Sequence, residues 1–271
     1  VAVKVVLVGC GNMGHAMLTG WLASGKLAAG DIAVVEPNET LRQRASQTGA
    51  AVAEHVSHLQ AGLRPELIIF AVKPQVMRSV VADYRGFATG GTTFVSIAAG
   101  IGIALFEALL GEKTPIVRCM PNTPAAIGKG MMVTVSNAQV APDAETFLAD
   151  LLSVSGRVLK LEDEGLMDAV TAVSGSGPAY VFHFIECLTA AGERVGLPAE
   201  AAKLLAMQTV FGAASLAAES ETEPGLLREQ VTSPNGTTAA ALQVLMGQDR
   251  LRALITEAVE AARDRSVELG K

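Results

Sequence analysis

Hydrophobic and polar positions follow two regimes along this chain. Up to about Leu161, short unbroken apolar runs recur: Val3–Val8, Ile32–Glu36, Leu67–Val72, Thr92–Ile97, Pro115–Met120, Met131–Ser136 and Arg157–Leu161. Runs of that length bounded by Gly, Pro or Asn read as strands buried on both faces, the pattern of a largely parallel sheet. Helical stretches lie between them: about Met13 to Ser24, closed by Gly25; a polar helix after Pro37-Asn38 carrying Arg42 and Arg44; and one near Ala144–Ser153. This alternation predicts a doubly wound α/β domain over residues 1–161. Beyond Leu161 the β-rich runs cease, and helical segments follow one another: Glu162–Val195, Pro198–Ser220, Gly225–Gln230, Thr237–Met246 and Asp249–Leu269. Pro198 suits a first helical turn. Several of these helices are alanine-rich and apolar over more than one face, too much apolar surface for a small helical domain alone. Residues 162–271 are therefore expected to form an all-α domain that interlocks with a second copy. A helical layer folded back on the chain's own α/β half is the alternative.

Composition narrows the function classes. Half of the 271 residues are hydrophobic, and the net charge is −6 with few aromatic residues. An acidic chain of this kind is a poor partner for nucleic acid or an anionic membrane. Cys10, Cys119 and Cys187 are odd in number, far apart and in no metal-ligand spacing, which suits a reduced cytoplasmic protein without a metal site. Val1–Val8 lacks a basic flank and runs into glycines, so it reads as a strand and not as a signal peptide. No apolar run reads as long enough to span a bilayer.

The candidate chemistry starts where the first strand ends. Gly9-Cys10-Gly11-Asn12-Met13-Gly14 is a G-x-G-x-x-G turn between a strand and a helix. The first glycine permits the tight turn, the second lets a pyrophosphate approach the backbone, and the third lets the helix pack on the strand. At the end of the second strand, Glu36 suits two ribose hydroxyls and so NAD, whereas Asn38, Arg42 and Arg44 suit a 2′-phosphate and so NADP. Pro74 stops the third run, leaving Ala71-Val72-Lys73-Pro74 as a loop at a strand's carboxyl end. Lys73 there faces a phosphate or ribose, or simply solvent. Ile97-Ala98-Ala99-Gly100 supplies the small residues a close cofactor approach needs. Asn122, between Pro121 and Pro124, offers a donor and an acceptor to a nicotinamide carboxamide, or forms a turn of its own.

Two polar interruptions mark the helical half. Ser174-Gly175-Ser176-Gly177-Pro178 breaks or kinks its first long helix. Val231-Thr232-Ser233-Pro234-Asn235-Gly236-Thr237-Thr238 presents hydroxyls and backbone N–H groups at a helix start, which suits a carboxylate or merely a well-capped turn.

Taken together, Gly9–Gly14, Ala71–Pro74, Ser96–Gly100, Met120–Pro124, Ser174–Tyr180 and Val231–Leu242 resemble the pyrroline-5-carboxylate reductase family over essentially the full chain. The resemblance implies an N-terminal Rossmann-type domain binding NADPH, with NADH as the alternative, and a helical C-terminal dimerisation domain. It implies rings of dimers, commonly decamers. The substrate would be L-1-pyrroline-5-carboxylate and the product L-proline. The substrate carboxylate would rest on the N–H groups of Asn235, Gly236 and Thr237 near the Ser233 hydroxyl, with Thr238 at the ring nitrogen. Family members usually carry Gly where Asn235 stands. The acidic residue implicated before the Pro-Gly turn corresponds to Glu221, with Glu219 and Glu223 close by.

The residues agree with reduction of an imine. Past Leu161 the only lysines are Lys203 and Lys271 and the only histidine is His183, so a base for alcohol oxidation is scarce. A 3-hydroxyacid dehydrogenase would have to use His183, which sits in an apolar stretch and reads as a packed or interface residue. A nucleotide-binding regulator without chemistry is the non-enzymatic alternative, and the Ser233–Thr238 turn speaks against it.

Overall fold

The computed structural model describes residues 3–270. Eight strands form one sheet: β1 (Val5–Val8), β2 (Ile32–Val35), β3 (Ala51–Ala53), β4 (Leu67–Phe70), β5 (Thr93–Ser96), β6 (Ile116–Met120), β7 (Gly130–Ser136) and β8 (Gly156–Lys160). Their spatial order is β3-β2-β1-β4-β5-β6-β7-β8, parallel throughout except for the antiparallel β6–β7 pair. The apolar runs are continuous because alternate residues serve two cores. Val5, Leu7, Ile32, Val34, Leu67 and Ile69 face one core, whereas Val6, Val8, Ala33, Val35, Ile68 and Phe70 face the other.

Helices cover both faces. On the first lie α1 (Asn12–Ala23) and α5 (Pro142–Ser153), through Met17, Leu18, Trp21, Leu148, Leu151 and Leu152. The indole N–H of Trp21 donates to the Leu151 carbonyl at 3.1 Å, so the largest side chain in that core has its polar atom satisfied. The polar helix α2 (Glu39–Ser46) adds Ala45 to the same core. On the second face lie α3 (Pro74–Ala82) and α4 (Ile103–Leu110), which bring Met77, Val81, Phe106 and Leu110. The one-turn α6 (Met167–Val170) adds Met167 there.

Three elements have no counterpart in the sequence reading: β3, α3 and α4. Pro74 does end a strand's neighbourhood, but it does so as the first residue of α3, where its missing N–H costs nothing. The expected kink at Ser174–Pro178 is present. A π-helical turn, Thr171–Gly175, precedes α7 (Gly177–Arg194).

The helices that follow are α8 (Ala199–Glu219), α9 (Pro224–Gln230), α10 (Thr237–Met246) and α11 (Arg250–Leu269). Two compact units result. One runs to Gly175 and regains the chain at Ala262, and the other is Ser176–Ala261. The compact division thus falls inside the helical half, after the change of pattern at Leu161. Within the second unit, α7 packs on α8 through Gly192, where an added Cβ would meet Ala202 at 3.1 Å. Much of its apolar surface is open, with Phe182, Leu204 and Phe211 each at least 60% exposed. Against expectation, α8 is long and apolar enough, by length and composition alone, to cross a bilayer.

Candidate functional site

The carboxyl ends of five neighbouring strands are knitted into one row. Gly9 N–H donates to the Val35 carbonyl at 2.8 Å, Glu36 N–H to Ala53 at 2.9 Å, Ala71 N–H to Val8 at 2.7 Å and Ile97 N–H to Phe70 at 3.1 Å. Gly9, Glu36, Ala71 and Ile97 therefore stand side by side along one sheet edge. The strand order reverses between β1 and β4, which is where open α/β sheets leave a ligand crevice.

The three glycines of the first turn differ in what they face. Gly9 has φ +89°, and an added Cβ there would lie 2.8 Å from the Ala71 carbonyl. A Cβ at Gly14 would run into the carbonyl of Gly9. At Gly11 a Cβ would meet nothing within 4 Å. Gly11 is the N-cap of α1 and no side chain caps it. The first intrahelical bond runs from His15 N–H to its carbonyl at 2.9 Å, so the N–H groups of Asn12, Met13 and Gly14 precede the helical ladder. Open space at Gly11, beside N–H groups without a partner among the described residues at the start of a twelve-residue helix, suits a phosphate.

Glu36 is tied into the turn. It is buried, and its two oxygens accept from Cys10 N–H at 2.7 Å and Asn38 N–H at 2.9 Å. The carboxylate is a strut between the glycine turn and the end of β2. Arg44 closes the same turn from the other side, donating to the Cys10 and Gly11 carbonyls at 2.8 and 3.1 Å. Its Nε is buried without a partner among the described residues. Arg42 donates to the Glu36 and Pro37 carbonyls, and the Asn38 side chain caps α2 by accepting from Leu41 N–H. Two guanidinium groups and a capped helix start thus surround the end of β2. Cys10 is buried in the turn, and burial pushes its thiol up to about 11, with Arg44 opposing the shift and Glu36 adding to it.

Beside Gly9 a cavity of about 300 Å3 opens, lined by Val35, Pro37, Val72, Val76 and Val80. His55 and Asp83 close its rim, 3.4 Å apart. A valine-rich cavity next to Gly9, with His55 and Asp83 among its polar groups, suits an aromatic base. Lys73 is the exposed N-cap of α3. Ala98 and Ala99 lie just beyond β5, and the Ala98 N–H reaches the Ser96 hydroxyl at 3.3 Å. Asn122 is committed to the fold first: its carbonyl accepts from Met131 N–H at 2.8 Å and its amide donates to the Ser174 carbonyl at 3.1 Å. The amide nitrogen also lies 3.4 Å from the Ser174 hydroxyl, so what Asn122 leaves for a ligand is the second lone pair of its carbonyl oxygen.

In the second unit, Ser233–Gly236 forms a turn before α10. Asn235 takes φ +60°, a left-handed conformation that Asn tolerates, and the turn forms with Asn in that place. Gly236 N–H donates to the Ser233 carbonyl at 3.0 Å, so this group is engaged within the turn. Thr237 and Thr238 begin the ten-residue α10, whose first internal bond runs from Ala240 N–H to Gly236. Glu221 is exposed between α8 and α9, and no side-chain contact among the described residues ties it, Glu219 or Glu223 to that turn. His183 pairs with Glu186 at 3.0 Å and is exposed on α7.

Comparison with known proteins adds the decisive observation. Residues 164–269 match the family model described as pyrroline-5-carboxylate reductase dimerisation, and residues 4–100 match NADP oxidoreductase, coenzyme F420-dependent. A pyrroline-5-carboxylate reductase of Pseudomonas aeruginosa is 42% identical over 99% of this chain and 97% of its own length. The chain belongs to the pyrroline-5-carboxylate reductase family. A solved pyrroline-5-carboxylate reductase of Coxiella burnetii superposes with a TM-score of 0.93 at 33% identity, each chain covered in full. That of Plasmodium falciparum, solved with NADP bound, gives 0.85 at 29% identity, with 99% of this chain and 98% of that one covered.

Within this reductase family fold, sequence reading found Gly9 and Val72 of the cavity but missed its residues on α3 and after β3. Val76, Val80 and Asp83 lie on or next to α3, hidden by treating Pro74 as a stop. The signal was present: Val76, Val80 and Asp83 recur at helical spacing, beside a second stripe of Met77 and Val81. His55 follows the three-residue β3, too short to register as a strand.

Proposed function

We propose that the chain reduces the C=N bond of L-1-pyrroline-5-carboxylate to give L-proline, with NADPH as the hydride donor. The observation that carries this reading is likeness to the reductases along the entire chain, together with the open space at Gly11. Residues 1–161 bind nucleotide in this reading, through Gly9–Gly14, Asn38, Ala71–Pro74, Ile97–Ala99 and Asn122. Residues 162–271 bind the imine acid and a second copy. Preference for NADPH is supported by the inward-facing Glu36, by Arg42 and Arg44 at the end of β2, and by the relative solved with NADP. When bound, the reduced nicotinamide supplies the hydride to the C=N carbon.

The remaining work falls to this chain's own groups. The Asn235 and Thr237 N–H groups at the start of α10 and the Ser233 hydroxyl hold the carboxylate, with Glu221 as the acidic residue of the substrate site. The Thr238 hydroxyl orients the ring nitrogen. Cyclic imines are basic, so the nitrogen arrives with its proton, and hydride transfer alone completes the neutral amine. This explains why no lysine or histidine base is required. The apolar faces of α7 and α8 are closed by a second copy, giving a homodimer, and dimers assemble further into rings.

The test is the initial rate of NADPH oxidation, and separately NADH oxidation, with racemic pyrroline-5-carboxylate. Turnover with NADPH in excess over NADH is the expected result. Nucleotide binding without turnover on either overturns the reading.

A further inference from the structure

The loop after β5 is backed by a part of the chain far from it in sequence. The space behind Gly100, at φ +72°, is filled by the end of α11: a Cβ there would meet Gly270 N and Leu269 C at 3.6 Å. In return, a Cβ on Gly270 would stand 3.0 Å from the Gly100 carbonyl, inside normal carbon–oxygen contact. One turn earlier, buried Ser266 donates its hydroxyl to Asp168 Oδ1 at 2.6 Å. Asp168 faces Arg118 at 4.0 Å, and buried Arg118 donates to Glu164 Oε1 at 3.1 Å. The same Glu164 oxygen accepts Ile103 N–H, the first residue of α4, at 2.9 Å. The segment 97–102 is therefore held at its middle by the end of α11 and at its far end by Glu164. Both restraints converge on one polar chain, Ser266, Asp168, Arg118 and Glu164, of which Ser266 and Arg118 are buried.

We propose that the last turn of α11 positions the Ile97–Gly100 loop for nucleotide, with Ser266 and Gly270 as positioning residues. The proposal rests on the reading that this loop faces the nucleotide. Ile97 and Ala98 are anchored by their side chains in the two cores, whereas Ala99 and Gly100 have little or no side chain to fix their path, so the geometry of that end of the loop is set from behind. Loosening the backing misplaces backbone that contacts the nucleotide while leaving the imine-acid turn untouched.

The experiment compares four variants of the full-length protein: Ser266→Ala, Ser266→Thr, Gly270→Ala and Ala99→Glu. Nucleotide Kd is measured by NADPH fluorescence, alongside kcat, both KM values and Tm. Ser266→Ala and Gly270→Ala are expected to raise NADPH Kd and KM about threefold to tenfold, with kcat and the imine-acid KM within about twofold. Ser266→Thr keeps the hydroxyl and restores the Kd. Ala99→Glu places charge in the loop itself and abolishes tight binding. If Ala99→Glu weakens NADPH but neither α11 variant does, the positioning role is overturned. The same holds if kcat, both KM values and Tm all deteriorate together without rescue by threonine. If Ala99→Glu binds NADPH normally, the loop does not face nucleotide, and the reading beneath the proposal fails with it.

Discussion

At the scale of the residue, the decisive feature is how Glu36 is used. A carboxylate that accepts two backbone N–H groups is part of the loop's skeleton, and charge-assisted bonds of this kind contribute roughly 1.5–3 kcal/mol each. Glu36→Ala is therefore expected to weaken NADPH and NADH alike, by about tenfold, with their ratio preserved. Parallel fluorescence titrations check this, since a ribose-reading Glu36 would instead shift the ratio. Thr238→Ala is the complementary case. Its kcat is expected to fall by about tenfold to a hundredfold with NADPH Kd unchanged, and equal turnover in the variant would remove the hydroxyl from the chemistry. The residues at the strand ends were legible in the sequence because glycine spacing and strand-end position are local. The partners of Glu36 and Asn122 were not, since Cys10 and Ser174 lie 26 and 52 positions away and meet them only in the folded chain.

At the scale of the element, continuous apolar runs marked β1, β2, β4, β5 and β6 within a residue or two. They failed where hydrophobicity is not patterned: Ile103–Leu110 is apolar nearly all round, and Ala51–Ala53 is too short to carry a period. The turn between β1 and α1 yields a paired prediction. Gly14→Ala forces a methyl onto the Gly9 carbonyl and is expected to cost about 1–3 kcal/mol of stability as well as nucleotide binding. Gly11→Ala enters open space at an ordinary φ of −62°, so thermal melts stay near the natural chain's. Its NADPH affinity still falls, because the methyl stands where phosphate approaches. Melting curves beside nucleotide titrations separate the two effects.

At the scale of the whole molecule, the exposed apolar faces of α7 and α8 call for a partner surface. Phe211→Glu is expected to yield monomers or aggregates and little turnover, against a natural particle of at least twice the 28.0 kDa of one chain. Light scattering coupled to size exclusion reads this directly. The chain path has a different consequence. Because the first unit regains its final segment only from Ala262 onward, Ser176–Ala261 is an interruption within it. Domains formed during synthesis generally fold as the ribosome releases them, first residues first. Here the sheet is complete long before the segment that closes it emerges. The nascent α/β unit must wait through 86 further residues, with the polar chain at Arg118 unfinished and the back of Gly100 uncovered. Its native state is thus sealed late, in a step tied to translation time and not to sheet formation.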